Sequence, residues 1–314
     1  MRILCDSHIP FVVEAVLHAW PEVDIFPMES ELIDASAARD ADILIVRTRT
    51  LVNEELLAGS SVRMVCTATI GYDHIDTHYC ETHGIQWMSC PGCNAQAVCD
   101  YIKEALDEFI NYQSPVINTP TLGIVGVGHV GSLVAQMATR RGMHVLLNDP
   151  PKGIGVSLDE IAQNSDIITF HVPLDHTTRH MCDAAFLAQC KPNALIINAA
   201  RGGVVDEQAL LRSSHPFIID TWENEPNVNP EILRHAFRAS MHIAGYSIEG
   251  KRNATQMCLD AIADRYHLPK IVLPANESSE NEGDIAPGWL ARITRQLQAD
   301  PASFETLRKQ YRLR

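Results

Sequence analysis

The stretch Leu122-Gly-Ile-Val-Gly-Val-Gly-His-Val-Gly131 decides the fold of this chain, because its last three glycines follow the pattern G-x-G-x-x-G. An apolar run at 122–127 leads into these glycines, and a helical pattern at 130–141 follows them. A second apolar run at 144–147 comes next and is followed by Asp149. A strand, a tight turn, a helix, a second strand and a carboxylate in this order are typical of a dinucleotide-binding βαβ unit.

Each glycine of this loop has its own physical role. Gly126 permits the tight turn, Gly128 lets the backbone approach a pyrophosphate, and Gly131 lets the helix pack closely on the strand. The helix N-terminus adds unpaired N–H groups and the positive end of the helix dipole. Asp149 is expected to accept hydrogen bonds from a ribose diol and to repel a 2′-phosphate. The loop therefore predicts NAD, rather than NADP, as the cofactor. Glycines also occur in ordinary turns, but the strand, the helix and the acid that surround this loop favour the dinucleotide-binding interpretation.

The length and charge of the chain limit the classes of partner. A chain of 314 residues is long enough for about two domains, and its net charge of −14 argues against a nucleic-acid backbone or an anionic membrane. No apolar run approaches the roughly 20 residues that span a bilayer. The first residues, Met-Arg-Ile-Leu-Cys-Asp, resemble a strand rather than a targeting segment. We therefore predict a cytoplasmic protein with neither a nucleic acid nor a membrane as its partner.

The nine cysteines are interpreted as free thiols of a reducing compartment. Cys90-Pro-Gly-Cys93 is a C-x-x-C pair, but no second pair and no paired histidines at zinc spacing accompany it, so no metal site is expected. We interpret the pair as a Pro-Gly turn with two incidental thiols; a redox pair is the alternative.

Short apolar runs alternate with helical patterns along most of the chain, a rhythm that favours parallel sheets. Before the glycine loop, strands are predicted at 3–5, 23–28, 43–46 and 64–66, and helices at 11–20, 35–40 and 95–112. From the loop onward, strands are predicted at 122–127, 145–147, 167–170, 194–198, 217–219 and 241–244, and a further helix at 251–266. The chain is therefore predicted to be an α/β protein with two doubly wound parallel-sheet domains.

The dinucleotide domain is predicted to be inserted into the other domain, because the glycine loop begins only after a βαβ series and a long helix. The predicted division is 1–93 for the first part of a substrate domain, 94–250 for the NAD-binding domain, 251–275 for the return to the substrate domain, and 276–314 for a linker and a shortened C-terminal tail. Within this tail, 276–288 is expected to be an exposed linker that precedes a short amphipathic helix.

Three polar side chains lie at the ends of predicted strands of the dinucleotide domain, where a doubly wound sheet binds its ligands. Arg201 can grip a carboxylate with two parallel hydrogen bonds and polarise an adjacent carbonyl. Glu225 beside His242 favours an imidazole that acts as an acid toward a carbonyl and as a base toward an alcohol. Taken singly, each has a plainer explanation, namely a surface arginine, a loop carboxylate and a structural histidine.

These motifs resemble the D-isomer-specific 2-hydroxyacid dehydrogenases over nearly the whole chain. The segments that carry the resemblance are Gly126-Val-Gly-His-Val-Gly131 with Asp149, Phe170-His-Val-Pro-Leu174, Asn198-Ala-Ala-Arg-Gly-Gly203, Asp220 with Glu225-Pro226, and His242-Ile-Ala-Gly245. The resemblance implies a NAD-binding Rossmann domain inserted into a flavodoxin-like substrate domain. It also implies that Arg201 orients the substrate and that Glu225 and His242 form the acid/base pair. The implied NAD contacts are Gly126, Gly128, His129, Val130, Gly131, Asp149, Val172, Ala199, Ala200, Asp220 and Gly245.

One branch of this family, whose members act on a small anionic phosphorylated 2-hydroxy acid, is more similar still. Its similarity is carried by Val46-Arg-Thr-Arg-Thr50, Cys66-Thr-Ala-Thr-Ile-Gly-Tyr-Asp-His-Ile-Asp76, Pro91-Gly-Cys-Asn-Ala95 and His242-Ile-Ala-Gly-Tyr-Ser-Ile-Glu-Gly-Lys251. It implies substrate contacts from Thr48, Thr69 and Tyr246. A phosphate on so acidic a protein needs local positive charge. The candidates are Arg47, Arg49, Lys251 and Arg252, of which Arg47 is included among the substrate contacts.

The chain departs from the family branch in two respects, and two alternative functions stay open. Val172 stands where the branch has threonine, so one hydroxyl contact to the cofactor is lost. The family implies a homodimer through the dinucleotide domain, and the short tail is expected to reduce a further dimer contact. The alternatives are another dehydrogenase of the phosphoglycerate or glycerate type, and a non-catalytic NAD-sensing protein.

Overall fold

The computed structural model describes residues 1–113, 119–274 and 288–311. The predicted linker at 276–288 therefore lies outside the described residues, apart from Gly288. The chain divides into two compact units, one of Met1–Asn94 and Ser247–Ser279 and the other of Ala95–Tyr246 and Glu280–Arg314. Helices and strands are numbered along the whole chain.

The first unit contains a parallel five-stranded sheet within the described residues. Its strands are β1 (Arg2–Asp6), β2 (Asp24–Met28), β3 (Ile43–Val46), β4 (Met64–Thr67) and β5 (Gln86–Met88). Its helices are α1 (Val12–Ala19), α2 (Ala35–Ala38), α3 (Glu54–Leu57), α4 (Thr77–Thr82) and α11 (Ile248–Tyr266). The strand order β2-β1-β3-β4-β5 is the flavodoxin-like order.

This sheet carries a hydrophobic layer on each face, because successive side chains of a strand point to opposite sides. Ile43 and Ile45 pack in the layer that contains α1 and α11. Leu44 and Val46 pack in the layer that contains residues of α2, α3 and α4. All four residues of β3 are fully buried, which explains why its sequence is a continuous apolar run.

The second unit contains a seven-stranded sheet within the described residues. Its strands are β6 (Thr121–Val125), β7 (His144–Asp149), β8 (Ile154–Gly155), β9 (Ile167–Phe170), β10 (Leu195–Asn198), β11 (Phe217–Ile219) and β12 (Arg238–Ala239). Its helices are α5 (Ala95–Gln113), α6 (His129–Arg140), α7 (Leu158–Asn164), α8 (Ala184–Gln189), α9 (Glu207–Arg212), α10 (Pro230–His235), α12 (Trp289–Ala299) and α13 (Phe304–Gln310). Short two-residue strands form both edges of this sheet.

The strand order of the second sheet is β12-β11-β10-β9-β6-β7-β8. Counted from β6, this order contains the Rossmann arrangement 3-2-1-4-5-6 with one further strand beyond it. All neighbours are parallel except β7 and β8. The order reverses between β6 and β9, and ligands of such sheets bind outside the carboxyl ends of the strands at this point. The predicted α/β class with parallel-sheet domains is thus confirmed.

The strand predicted at 241–244 is wrong. The last strand of the second sheet is β12, and residues 241–244 form an irregular segment after it. His242 has φ 58°, in the left-handed region that a strand does not contain. Met241, Ile243 and Ala244 are apolar because they are buried, which explains the strand-like pattern.

The C-terminal helices belong to the core of the second unit. Trp289, Leu290 and Phe304 are at most 2% exposed and join its hydrophobic cluster. Thr294 of α12 also hydrogen-bonds the N–H of Ala239 at 3.0 Å. The described part of the predicted tail, 288–311, therefore packs against the second unit. Across the described ranges, no helix combines the length and the apolar character needed to cross a membrane.

Candidate active site

Glu225 and His242 form a hydrogen-bonded pair beyond the carboxyl ends of β11 and β12. His242 Nδ1 donates to Glu225 Oε2 at 2.8 Å. The other carboxylate oxygen, Oε1, accepts from the N–H of Trp222 at 2.9 Å, which fixes the plane of the carboxylate. The Nδ1 bond leaves Nε2 as the ring nitrogen with which His242 can exchange a proton with a ligand. The structure thus joins two of the three predicted catalytic residues.

The surroundings of the Glu225 carboxyl group favour its ionised form. Burial opposes its charge, but the hydrogen bond and charge of His242, the N–H of Trp222 and the charge of Arg308 outweigh it and hold the pKa below its ordinary value. An ionised carboxylate at this position stabilises an imidazolium on His242. When Nε2 accepts a proton, the positive charge of the imidazolium is therefore paired with the negative charge of Glu225, so no isolated charge is left in this partly buried site.

The buried carboxylate of Asp220 fixes the His242 segment. Its Oδ1 accepts from Ser240 Oγ at 2.6 Å and from the N–H of Ile243 at 2.8 Å, and its Oδ2 accepts from the N–H of Ala244 at 2.9 Å. The carbonyl of Asp220 accepts from the N–H of His242 at 2.8 Å. These contacts hold His242 in its left-handed conformation. The predicted cofactor contact Asp220 thus has a structural role at this site as well.

Arg201 follows β10 and lies on the loop next to the β11 loop. Asn198 Nδ2 donates to the carbonyl of Arg201 at 2.9 Å and approaches the carbonyl of Thr221 at 3.5 Å, which ties the two loops together. Arg201 Nη1 donates to the carbonyl of Ala200 at 2.8 Å. This contact orients one edge of the half-buried guanidinium group, whose fork geometry suits a carboxylate.

The glycine loop fits a dinucleotide. Gly126 has φ 90°, and a Cβ on Gly131 would lie 2.0 Å from the Gly126 carbonyl oxygen, so both positions require glycine. A Cβ on Gly128 would have no atom within 4 Å, which leaves open space at the N-terminus of α6, where His129 and Val130 begin the helix. This space, next to N–H groups of a helix N-terminus, suits a pyrophosphate.

Asp149 ends β7 and bonds the glycine loop. Its Oδ2 accepts from the N–H of Val127 at 2.8 Å and lies 3.5 Å from Lys152 Nζ. Oδ1 accepts no hydrogen bond from the residues that the structure describes, and it is the oxygen that suits a ribose hydroxyl.

The remaining predicted NAD contacts follow neighbouring strands of the same sheet. Val172 follows β9, Ala199 and Ala200 follow β10, and Gly245 follows the His242 segment. Because the carboxyl ends of parallel strands share one edge, these residues lie on the same side of the second unit as the glycine loop.

Three predicted substrate contacts belong to the first unit. Arg47 and Thr48 follow β3, and Thr69 follows β4, its neighbour in the sheet. Thr69 Oγ1 donates to the carbonyl of Gly71 at 2.9 Å and lies 2.6 Å from Thr67 Oγ1. The Thr48 side chain is exposed. The two loops therefore present hydroxyl groups at one edge of this sheet.

Arg47 is held by a buried acid. Its Nε donates to Asp6 Oδ2 at 2.7 Å and its Nη2 donates to Asp6 Oδ1 at 3.1 Å. Burial opposes the charge of Asp6, but Arg47, Ser30 and the N–H of His8 lower the pKa of this carboxyl. Partial burial, and next the charge of Arg47, lower the pKa of the Lys251 ammonium group. Two of the four candidate cations are therefore within electrostatic reach of each other.

The Cys90-Pro-Gly-Cys93 segment forms a turn in which the N–H of Cys93 donates to the carbonyl of Cys90 at 3.2 Å. Burial, and next the neighbouring Cys90, raise the pKa of Cys93 to about 12, so this thiol is a poor nucleophile. Within 1–113, 119–274 and 288–311, the structure contains no cluster of three or more His, Cys, Asp or Glu side chains that could bind a metal ion.

Comparison with known proteins identifies the family. Residues 103–244 match the model of the D-isomer specific 2-hydroxyacid dehydrogenase NAD binding domain. The chain is 40% identical to the erythronate-4-phosphate dehydrogenase of Bacteroides thetaiotaomicron, and the match covers 100% of this chain and 97% of that protein. This chain belongs to the D-isomer-specific 2-hydroxyacid dehydrogenases. The erythronate-4-phosphate dehydrogenase of Porphyromonas gingivalis is 39% identical, with 99% and 92% coverage.

Solved structures of similar fold include other members with bound cofactor. A 3-phosphoglycerate dehydrogenase of Entamoeba histolytica with NAD+ has a TM-score of 0.72 at 24% identity, covering 88% of this chain and 99% of that one. A D-lactate dehydrogenase of Aquifex aeolicus with NAD and lactic acid has a TM-score of 0.66 at 24% identity, covering 84% and 95%. These structures show the fold, whereas the family model and the 40% identical relative show that the chain is an NAD-dependent 2-hydroxyacid dehydrogenase.

Sequence reasoning missed several residues around the dehydrogenase site. Arg308 Nε donates to Tyr246 Oη at 2.9 Å, although the two residues are 62 positions apart. Tyr101 Oη lies 2.8 Å from Ser240 Oγ, which itself bonds Asp220. No local pattern reveals either contact.

A buried acidic cluster lies beside the Glu225 loop and was also missed. The N–H of Glu223 donates to Glu207 Oε1 at 2.7 Å, and His180 Nε2 lies 2.9 Å from Glu223 Oε1. Burial raises the pKa of Glu207 to about 7, and the charges of Glu223, Glu225 and Asp206 add to this effect, while the Glu223 N–H opposes it.

This raised pKa predicts how Glu207→Gln changes stability with pH. A carboxyl whose folded pKa exceeds its unfolded value loses stabilising free energy as pH rises from the unfolded value, 4.5, to the folded value of about 7. Glutamine keeps the acceptor for the Glu223 N–H without this loss. The variant should therefore gain up to about 3 kcal/mol relative to wild type between pH 4.5 and pH 8.

Thermal unfolding of both proteins across this pH range measures the difference. Glu231→Gln, at an exposed position of the same unit, is the matched control and should follow the wild-type pH dependence. A Glu207→Gln difference that does not change with pH would contradict the assignment.

Proposed function

We propose that this chain oxidises 4-phospho-D-erythronate at C2 to 2-oxo-3-hydroxy-4-phosphobutanoate, with NAD+ as the oxidant, in pyridoxal 5′-phosphate biosynthesis. The observation that carries the proposal is the 40% identity over the whole chain to a protein named erythronate-4-phosphate dehydrogenase. The hydrogen-bonded Glu225–His242 pair, with Arg201 on the loop next to that of Glu225 at the same sheet edge, supports dehydrogenase chemistry.

In this proposal His242 is the general base. Its Nε2 takes the proton of the C2 hydroxyl, and the positive charge that develops on the imidazole is stabilised by ionised Glu225 through the 2.8 Å bond to Nδ1. Arg201 holds the substrate carboxylate and stabilises negative charge on the C2 oxygen in the transition state. In the reverse direction the same imidazolium returns the proton.

The second unit is proposed to be the NAD-binding domain. The pyrophosphate would be bound by the backbone N–H groups of Gly128, His129 and Val130. The adenosine ribose would be bound by Asp149 Oδ1. NAD+, when bound, supplies the acceptor for the hydride that leaves C2. The other proposed contacts are Gly126, Gly131, Val172, Ala199, Ala200, Asp220 and Gly245.

The first unit is proposed to supply the substrate specificity. Thr48 and Thr69 would contact the substrate hydroxyl and carboxylate groups, and Tyr246 of the second unit would contribute a phenolic hydroxyl. Arg47 and Lys251 are the proposed phosphate ligands, because two cations that lie close together favour a doubly charged anion. Arg49 and Arg252 have other nearby partners, Glu31 and Asn253.

The test is NADH formation by the purified protein with a panel of 2-hydroxy acids. 4-Phospho-D-erythronate is expected to have a kcat/KM at least about 100-fold above that of 3-phosphoglycerate and of unphosphorylated D-erythronate. NADP+ in place of NAD+ is the cofactor control and should support much slower turnover. A preference for 3-phosphoglycerate or D-glycerate would replace the proposed substrate. NAD binding without turnover of any hydroxy acid would favour an NAD-sensing protein.

We further propose that the protein is a cytoplasmic homodimer, as the family resemblance implies. The match to the Bacteroides relative covers 97% of that protein, whereas the match to a Pseudomonas syringae relative covers 80% of that one. Light scattering of the purified protein would give the oligomeric state directly, and a monomeric mass would exclude the dimer.

A further inference from the structure

The last helix of the described chain brings a cation to the proposed active site. Phe304 of α13 is fully buried, and Leu307 packs against the hydrophobic cluster of the second unit. This packing fixes the helix, so the residue that follows Leu307 has a defined position. That residue is Arg308, whose side chain is 25% exposed.

Arg308 contacts Tyr246, one of the proposed substrate ligands. Its Nε donates to Tyr246 Oη at 2.9 Å, and its guanidinium carbon lies 5.5 Å from the centre of the Tyr246 ring. Because the phenolic oxygen accepts from Arg308, its own proton stays available for donation to another acceptor. A cation that donates to a phenol also strengthens the phenol as a hydrogen-bond donor.

Arg308 also lies within electrostatic reach of Glu225. Burial opposes its charge, but Tyr246, Glu225 and Glu305 outweigh this effect and raise the pKa of Arg308. The charged groups that act on Glu225 include His242, Arg308 and the acid Glu207. The carboxylate that is hydrogen-bonded to His242 thus also experiences the charge of a cation from a distant part of the chain.

We propose that Arg308 is a positioning residue of the dehydrogenase site, which directs the Tyr246 hydroxyl toward an anionic oxygen of the substrate and limits how strongly Glu225 holds a proton on His242. This inference rests on the proposed function of Tyr246, Glu225 and His242. It makes the C-terminal helix part of the active site.

The test compares Arg308→Met with Lys309→Met, an exposed residue of the same helix whose loss removes the same charge. Arg308→Met is expected to raise KM for the hydroxy acid at least about tenfold, because the Tyr246 hydroxyl loses a charged partner. Its affinity for NAD, measured by calorimetry, should stay at the wild-type value. In a Tyr246→Phe background the same change should raise KM less than about twofold further.

The second readout is the titration of the His242 ring followed by NMR, which needs no substrate. Removal of the Arg308 charge leaves Glu225 with one cation fewer, so His242 should bind its proton more tightly than in wild type, and the acidic limb of the kcat/KM profile should move to higher pH. Lys309→Met should leave the midpoint unchanged. Arg308→Lys keeps the charge and should keep the midpoint while raising KM. If Arg308→Met does not fold, Arg308→Gln replaces it, because it removes the same charge.

An Arg308→Met midpoint equal to that of Lys309→Met would overturn the inference, whatever the change in KM. If the wild-type protein turns over no hydroxy acid, the proposed function fails, but the NMR titration still decides whether Arg308 acts on the Glu225–His242 pair.

Discussion

His242→Asn should lower kcat for the hydroxy acid by about 10³-fold, the upper part of the range for loss of a general base. The side chain of asparagine places its amide nitrogen near the position of His242 Nδ1, so it can still donate to Glu225 Oε2. It has no counterpart of Nε2 and therefore cannot accept the hydroxyl proton. Steady-state NADH formation measures the loss, and NAD affinity should stay near the wild-type value because the glycine loop is untouched.

Asparagine is chosen because of the backbone at this position. His242 has φ 58°, and asparagine tolerates this left-handed conformation better than most residues. The control is Glu225→Gln, which keeps an acceptor for the Trp222 N–H but loses the charge that stabilises the imidazolium. It should lower kcat less than His242→Asn. Turnover of His242→Asn within tenfold of wild type would exclude His242 as the base.

Much of the fold could be predicted because buried parallel strands have continuous apolar sequences. The strands at 43–46, 167–170 and 217–219 were predicted with the bounds that the structure has. The two-residue strands β8 and β12 are too short to leave a pattern of their own. The segment 241–244 misled the prediction because burial alone, without strand pairing, also selects apolar residues.

Candidate site residues could be predicted where they lie in loops after predicted strands. They could not be predicted where tertiary packing brings them to the site from a distant part of the chain. Arg201 and Glu225 come directly after a predicted strand, so the topology places them at one edge. Asp220 was predicted only as a cofactor contact. Its partners in the His242 segment are mainly backbone N–H groups, which nearly every residue type has, so the sequence does not indicate these hydrogen bonds. Arg308 reaches Tyr246 only through the packing of α13, a tertiary contact that sequence periodicity does not record.

These contacts have a common logic. Glu225 and His242 lie on irregular loops, but these loops are fixed by buried polar groups at the ends of the strands. Asp220 holds the His242 segment, and Asn198 ties the Arg201 loop to the next one. A rigid sheet thus supplies the precision, while the loops supply the chemistry.

Arg201→Lys should reduce kcat/KM for the hydroxy acid by about 10²- to 10³-fold, even though the positive charge is kept. The guanidinium group presents two parallel N–H donors to a carboxylate, and its Nη1 is at the same time anchored to the Ala200 carbonyl at 2.8 Å. A lysine ammonium cannot make both contacts in one plane. Both kcat and KM should change, because the residue holds the substrate and stabilises charge in the transition state.

The position of Arg201 makes this loss distinguishable from a general loss of stability. Arg212→Lys, at an exposed position at the end of α9, changes the same residue type in the same unit and should leave kcat/KM at the wild-type value. Arg201→Ala opens space for a small cation, so added guanidinium should restore part of the activity, whereas added ammonium should restore less because it lacks the planar fork. Equal rescue by the two ions would mean that Arg201 acts through charge alone, and an Arg201→Lys enzyme with wild-type kcat/KM would remove it from the proposed site.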